Sequence, residues 1–229
     1  MDKVYEIFKI LYKKFGPQRW WPVKSKKDDQ AKFEIIIGAI LTQNTAWKNV
    51  EKAIDNLHQH NLININRIAK LSTKKLASLI KSAGYYNQKA VRLKEIAKHL
   101  TNYKNISEFL NKDINKLRKE LLNIKGIGLE TADSIILYAA NKPIFVIDAY
   151  TKRIFSRLGM CNKQTSYEEL QKFFMENLPL DYKIFNEYHA LLVELGKHYC
   201  KKKPNCVGCP LRNICKYKKN LNNSNKKLL

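Results

Sequence analysis

The sequence predicts an all-α fold, and three observations carry that prediction. Apolar residues recur at helical spacing along most of the chain, cap residues stand where those runs begin, and a single short stretch reads as extended. Taken in order, Val4, Phe8, Leu11 and Phe15 share one face, and Phe33, Ile36, Ile37 and Ile40 repeat the pattern. Val50, Ile54 and Leu57 follow, then Leu76, Leu79 and Ile80, then Leu93, Ile96, Ala97 and Leu100. Ile114, Leu117 and Leu121 mark another helix, Ile135, Ile136, Ala139 and Ala140 a further one, and Ile184, Tyr188, Leu191 and Leu195 the last long one. Ser72 and Ser166 stand at N-cap positions, and Glu168 and Glu169 place negative charge in a first turn, where the helix dipole favours it. The stretch from Ile144 to Ile147, after Pro143, reads as extended and is too short to found a sheet. About ten or more helices joined by short loops are expected.

With 229 residues the chain can form one large domain or two small lobes, and 45% hydrophobic residues exclude a wholly disordered chain. No apolar run approaches the roughly 18 residues of a membrane span. The segment from Met1 to Phe15 mixes Asp2, Lys3, Glu6, Lys9, Lys13 and Lys14 with apolar residues, which fits an amphipathic helix better than a signal peptide and predicts a cytoplasmic protein. Lys and Arg number 43 against 20 Asp and Glu, a net charge of +23 that attracts polyanions, nucleic acid first among them. The abundance of Lys, Asn and Ile also fits a general compositional bias, so charge alone leaves the partner open. From Lys216 to Leu229 the chain is Lys- and Asn-rich without periodicity and reads as a basic tail.

Four of the five cysteines, Cys200, Cys206, Cys209 and Cys215, fall within sixteen residues as C-x5-C-x2-C-x5-C. Without secretory signals this clustering favours a metal centre over disulfides, and the spacing suits zinc or an iron–sulfur cluster equally. Cys161 stands apart and reads as a buried small hydrophobe.

In Leu122-Asn123-Ile124-Lys125-Gly126-Ile127-Gly128-Leu129-Glu130-Thr131-Ala132 one helix ends, a tight Gly-x-Gly turn follows, and another helix begins. Gly126 and Gly128 allow the backbone to bend and to approach another backbone. The turn amides and the following helix N-terminus suit an anion such as a DNA phosphate, with Lys125 adding charge. An ordinary inter-helix turn would read the same way. About twenty residues on, Phe145-Val146-Ile147-Asp148-Ala149-Tyr150-Thr151-Lys152-Arg153 places an acid after apolar residues at the start of a basic helix. Asp148 is a candidate catalytic carboxylate or simply an N-cap.

Hairpin, aspartate and four-cysteine loop together resemble the endonuclease III family of helix-hairpin-helix DNA glycosylases. Leu41-Thr42-Gln43-Asn44-Thr45 and Gly84-Tyr85-Tyr86-Asn87-Gln88-Lys89-Ala90 add to the resemblance, which runs from about Phe33 to Cys215. The first cysteine gap is five residues where the family pattern has six, and Pro204 and Pro210 keep their usual places. The resemblance implies a [4Fe–4S] cluster on the four cysteines, with zinc as the alternative. It implies a two-lobed fold, with a helical barrel over 31–142 containing the hairpin. A second lobe combines 1–30 with 143–229 and carries the cluster loop at 200–215. Asp148 becomes the expected catalytic carboxylate. Gln43 and Tyr85 match positions that fill the gap left by a flipped base and wedge the opposite strand. Lys125, Gly126, Gly128, Lys152 and Arg153 become expected DNA contacts, and Gln43, Tyr85, Lys152 and Arg153 could equally serve local packing or solvation.

Members with lyase activity carry a lysine two residues after the second hairpin glycine, where this chain has Glu130. A carboxylate cannot form a Schiff base, so a monofunctional glycosylase is expected, with Glu130 either simply favouring the helix N-terminus electrostatically or lining the pocket. Trp20-Trp21-Pro22 and Trp47 hold all three tryptophans. With Glu130, they resemble the 3-methyladenine DNA glycosylase branch, in which Trp21, Pro22 and Trp47 would sandwich the base. Stacking and a cation–π interaction would favour a cationic alkylated purine. Tryptophans of the core would also account for the pattern. The reading is therefore a monomeric glycosylase that removes an alkylated purine from double-stranded DNA. Its rivals are a glycosylase for another damaged or mispaired base, with or without lyase activity, and a non-catalytic DNA-binding module.

Overall fold

The structure, a computed structural model, describes residues 3–162 and 164–217. The part of the basic tail from 218 onward lies outside the described residues. Among the described residues there are twelve α-helices, one 3-10 turn and no strand. The chain forms two compact units, Trp21–Lys142 in one and Met1–Trp20 with Pro143–Leu229 in the other.

The Trp21–Lys142 unit begins with α2 (Asp28–Leu41). Its Phe33 to Leu41 stretch is buried all round, which places it at the centre of the unit. Around it come α3 (Trp47–Gln59), α4 (Ile65–Lys70), α5 (Thr73–Leu79), the 3-10 turn Lys81–Ala83 and α6 (Tyr86–Leu100). Next are α7 (Ile106–Leu110), α8 (Ile114–Asn123) and α9 (Leu129–Tyr138). Side-chain caps start four of these helices: Asn64 on α4, Ser72 on α5, Asn105 on α7 and Asp113 on α8. α2 packs on α3, α6, α7 and α9, and α8 packs on α9.

The sequence reading drew the edge of this unit at residue 31, and the structure draws it at Trp21. Two contacts explain the difference. The Trp21 ring lies against Gly38 of α2, where an added Cβ would meet it at 2.9 Å. The buried carboxylate of Glu34 accepts from the amides of Lys24 and Ser25 at 2.8 and 2.9 Å, from Ser25 Oγ at 2.6 Å, and pairs with His58 Nε2 at 2.9 Å.

The other unit holds α1 (Lys3–Phe15), α10 (Ala149–Leu158), α11 (Tyr167–Asn177) and α12 (Tyr182–His198). α12 packs on α1 and α10. Its core is aromatic, with Phe145 stacked on Phe174 at 4.0 Å and Phe155, Phe185 and Tyr188 packed around the pair. Tyr188 is fully buried, and its hydroxyl donates to Val4 O at 2.8 Å, tying α1 to α12. The buried face of α12 includes Phe185, Tyr188, Leu191 and Leu195, whereas Ile184, expected on it, is half-exposed. Ser166 and Glu169 form a full capping box at α11. The 144–147 stretch is buried and belongs to neither a helix nor a sheet.

Candidate functional site

The hairpin lies in the Trp21–Lys142 unit, between α8 and α9. A bidentate pair braces it from below. Arg118 Nε and Nη2 of α8 donate to the two carboxylate oxygens of fully buried Asp133 of α9, at 2.7 and 3.1 Å. Gly126 has φ +91, and a Cβ there would meet the Arg92 side chain at 2.5 Å, so glycine is required twice over. Gly128 differs from the sequence expectation. Its φ is −99, and nothing lies within 4 Å of an added Cβ, so no demand inside the chain explains it. It is the N-cap of α9 and supplies no side-chain cap there. Lys125 and Glu130 are exposed beside this turn.

Gln43 reaches the same hairpin. Its Nε2 donates to Thr131 Oγ1 at 2.9 Å and to Gly126 O at 3.3 Å, and its Oε1 accepts from Arg92 of α6. Tyr85 caps α6 from the left-handed region at φ 45, and its side chain is 67% exposed. Its ring is thus largely presented to solvent from a left-handed turn.

Trp21, Trp47 and Tyr138 form one aromatic cluster. Trp21 meets Trp47 edge to face at 5.4 Å and 84°, and Tyr138 at 5.1 Å. The sandwich expected from the sequence is therefore not formed as two parallel walls. Pro22 and Trp47 instead line a cavity of about 170 Å³, with Glu34 and Glu51 among its other walls. A cavity of about 150 Å³ suffices for a benzene ring.

In the second unit Asp148 is the N-cap of α10, and its Oδ1 accepts from the Thr151 amide at 2.7 Å. Of the two sequence readings, the structure thus shows the cap. Its Oδ2 faces His189 Nε2 of α12 at 3.8 Å. Burial pushes the His189 pKa down, opposed by the Asp148 charge, and the edge of Trp20 packs against its ring at 6.1 Å. His189 was not singled out in the sequence, because a lone histidine inside an apolar helix face carries no motif.

The four cysteines of the loop line one small cavity of about 30 Å³ together with Arg157, Tyr199 and Tyr217. Burial raises the Cys209 thiol pKa, and the charges of Cys200, Cys206 and Cys215 act in the same direction, which places the four sulfurs within electrostatic reach. Among the described residues no three candidate ligands converge in single-ion geometry. Two arginines of α10 hold the loop. Arg153 Nε donates to Cys200 O at 2.7 Å. Arg157 donates to Cys200 Sγ at 3.2 Å, to Lys201 O at 2.6 Å and to Lys202 O at 2.9 Å. Arg153, expected as a DNA contact, is thus engaged with the loop, while Lys152 and Arg153 also line an open basic cavity with Arg157 and Lys216. Arg157 was not identified from the sequence; its spacing of one helical turn from Arg153 was the available signal. Cys161, expected to be buried, is half-exposed.

These elements define a class, and the comparisons with known proteins agree with it. Residues 37–180 match the model of the HhH-GPD superfamily of base excision DNA repair proteins, and the chain belongs to that family. It is a DNA repair glycosylase with the all-α endonuclease III fold. It is 48% identical over 217 residues to the provisionally named DNA repair glycosylase of Methanocaldococcus jannaschii, covering 93% of this chain and 96% of that one. Thermotoga maritima endonuclease III is 30% identical, with coverage of 93% and 92%. Among solved structures, the Helicobacter pylori 3-methyladenine DNA glycosylase bound to 1,N6-ethenoadenine superposes with a TM-score of 0.73 at 32% identity, covering 86% of this chain and 98% of that one. An endonuclease III trapped covalently on DNA superposes with a TM-score of 0.78 at 23% identity, covering 96% and 99%.

Proposed function

We propose that the protein is a monofunctional glycosylase that excises an alkylated purine from duplex DNA by hydrolysis. The observation that carries this reading is Glu130. It stands in the first turn of α9, and no lysine occurs anywhere in that helix. Without an amine at that position the family's Schiff-base nucleophile is missing, and Lys125, on the hairpin itself, is a poor substitute for it.

The proposed chemistry belongs to Asp148. Cleavage of an N-glycosidic bond builds positive charge on the sugar. A carboxylate fixed by a helix amide at one oxygen can stabilise that charge with the other and orient water. A purine alkylated on the ring is already cationic, so it leaves with little help from a general acid. Trp21, Pro22, Trp47 and Glu130 are the proposed base-recognition residues, and the face of an aromatic ring suits a cationic guest. The 3-methyladenine glycosylase among the structural relatives supports the substrate class. Gly126, Gly128 and Lys125 would hold a phosphate, Gln43 and Tyr85 would occupy the opened duplex, and Lys152 and Arg153 would add basic surface.

Cys200, Cys206, Cys209 and Cys215 would hold a [4Fe–4S] cluster. The donor set fits: a cubane takes one thiolate at each of four irons, so its ligands surround a cavity without converging on one ion. The cluster, when bound, would cross-link a loop that has little apolar packing of its own.

An excision screen on duplexes carrying 3-methyladenine, hypoxanthine, uracil, thymine glycol and 8-oxoguanine tests the reading. Release of 3-methyladenine with the strand left intact is expected. Preferential release of an oxidised pyrimidine with strand nicking would overturn it.

A further inference from the structure

Lys89 is a cation in the core of the Trp21–Lys142 unit, with 1% of its surface exposed. Its Nζ donates to Leu41 O at 2.8 Å, Thr45 Oγ1 at 2.7 Å and Ala83 O at 2.8 Å. All three acceptors are neutral. Desolvation, with a smaller push from Arg92, lowers its pKa to about 8. Apolar packing would fill such a place more favourably, so the three hydrogen bonds set its purpose.

Those bonds join two segments. Leu41 and Thr45 bracket Gln43 and Asn44, whereas Ala83 precedes Gly84 and Tyr85. Thr45 Oγ1 itself donates to Ala83 O at 2.6 Å, closing the connection between them. Each segment contains a non-glycine residue in the left-handed region, Asn44 at φ 52 and Tyr85 at φ 45. Such conformations persist only where their surroundings hold them. One turn further along α6, Arg92 bonds Gln43 and lies over Gly126. α6 therefore holds the Gln43 loop, the Tyr85 turn and the hairpin through two basic side chains three residues apart.

We propose that Lys89 is a positioning residue that fixes the Gln43 loop and the Tyr85 turn in the conformation that opens a duplex and keeps a nucleotide extruded. This rests on the reading of Gln43 and Tyr85 given above. Loss of the ammonium slows extrusion and leaves bond cleavage intact.

The test uses Lys89→Met, which keeps the apolar stem and removes the charge. The probe is a duplex with 2-aminopurine beside a tetrahydrofuran abasic analogue, whose fluorescence rises on unstacking. It requires no knowledge of the excised base. Wild type should bind it in preference to intact duplex, with a fluorescence rise. Lys89→Met should bind within about threefold of wild type, lose most of that rise, and excise a paired lesion about 30-fold more slowly in single turnover. Placing the lesion in an unpaired bubble should restore excision to within about threefold of wild type, because the extrusion step is already made. Thr45→Val, which removes the linking hydroxyl and keeps Lys89, should show the same pattern at smaller amplitude and serves if Lys89→Met does not fold. A full fluorescence rise in the folded variants, or a defect as deep on the bubble as on the duplex, overturns the proposal. A wild type that shows neither preference nor fluorescence change overturns the reading of Gln43 and Tyr85, and the proposal with it.

Discussion

The hairpin and the cysteine loop are both short, irregular segments, and they are held by opposite means. The hairpin is braced from inside its unit by the Arg118–Asp133 pair, the Arg92 side chain over Gly126 and the Gln43 bonds, all set on helices with buried apolar faces. In the cysteine loop, Leu211 is the only hydrophobic residue between 200 and 215 buried among those described. Arginines of α10 reach across to its carbonyls and one sulfur, and the four cysteines are among the residues that line a small cavity. One region keeps its shape by packing and buried polar bonds, and the other, with little apolar packing of its own, would depend on the cluster proposed for its four cysteines. The two should respond to different insults.

The largest effect is expected at the loop. Cys209→Ala should abolish the visible iron–sulfur absorbance and open 200–215 to proteolysis, while the helices of the Trp21–Lys142 unit remain protected from hydrogen exchange. A variant that keeps both its colour and its protease resistance would remove the contrast. Next comes Arg118→Met, which takes two hydrogen bonds from a fully buried carboxylate and should cost about 3 kcal/mol in denaturant unfolding. A change below about 0.5 kcal/mol would show that the brace carries nothing.

A third effect comes from acid. Burial pushes the Glu120 carboxyl up, but hydrogen bonds from Lys112, Tyr103 and His99 together outweigh it and hold the pKa at about 2. The unfolded chain takes up this proton near the ordinary value of 4.5, so the folded state loses stability as pH falls from 4.5 towards 2. The loss should amount to about 2 kcal/mol, discounted for partial exposure, and Glu120→Gln should flatten that limb of the stability curve. The smallest stability effect should belong to Gly128→Ala. Its φ is ordinary and its surroundings are open, so stability should change by less than about 0.5 kcal/mol while affinity for duplex DNA falls. Gly126→Ala, at positive φ and against Arg92, should unfold more easily.

Much of this was legible in the sequence, for physical reasons that also mark where legibility stops. Helical periodicity located the core faces because burial imposes it, and Ser72 and Ser166 marked helix starts because their hydroxyls answer orphan amides. Asp148, Gln43 and the cysteines were visible as local patterns. Lys89, Arg118, Asp133, Arg157 and His189 were not. Each acts through a partner on another element of the chain, and a buried lysine looks like a surface one when read along a helix. The division of labour between Gly126 and Gly128 was also hidden, since only backbone angles separate a glycine needed by the chain from one needed by something outside it. Ile184 was placed on a core face by helical spacing and Cys161 by its residue type, and both are half-exposed, with Phe185 buried beside Ile184.

The central claim, hydrolysis through Asp148 without an amine nucleophile, is tested most directly by one gel. Methylated duplex DNA is incubated with wild type and with Asp148→Asn in the presence of sodium borohydride. The account predicts free 3-methyladenine and an uncut abasic strand from wild type, no covalent adduct, and release slowed at least about 10²-fold by the substitution. A borohydride-trapped protein–DNA adduct, or equal release by Asp148→Asn, would contradict it.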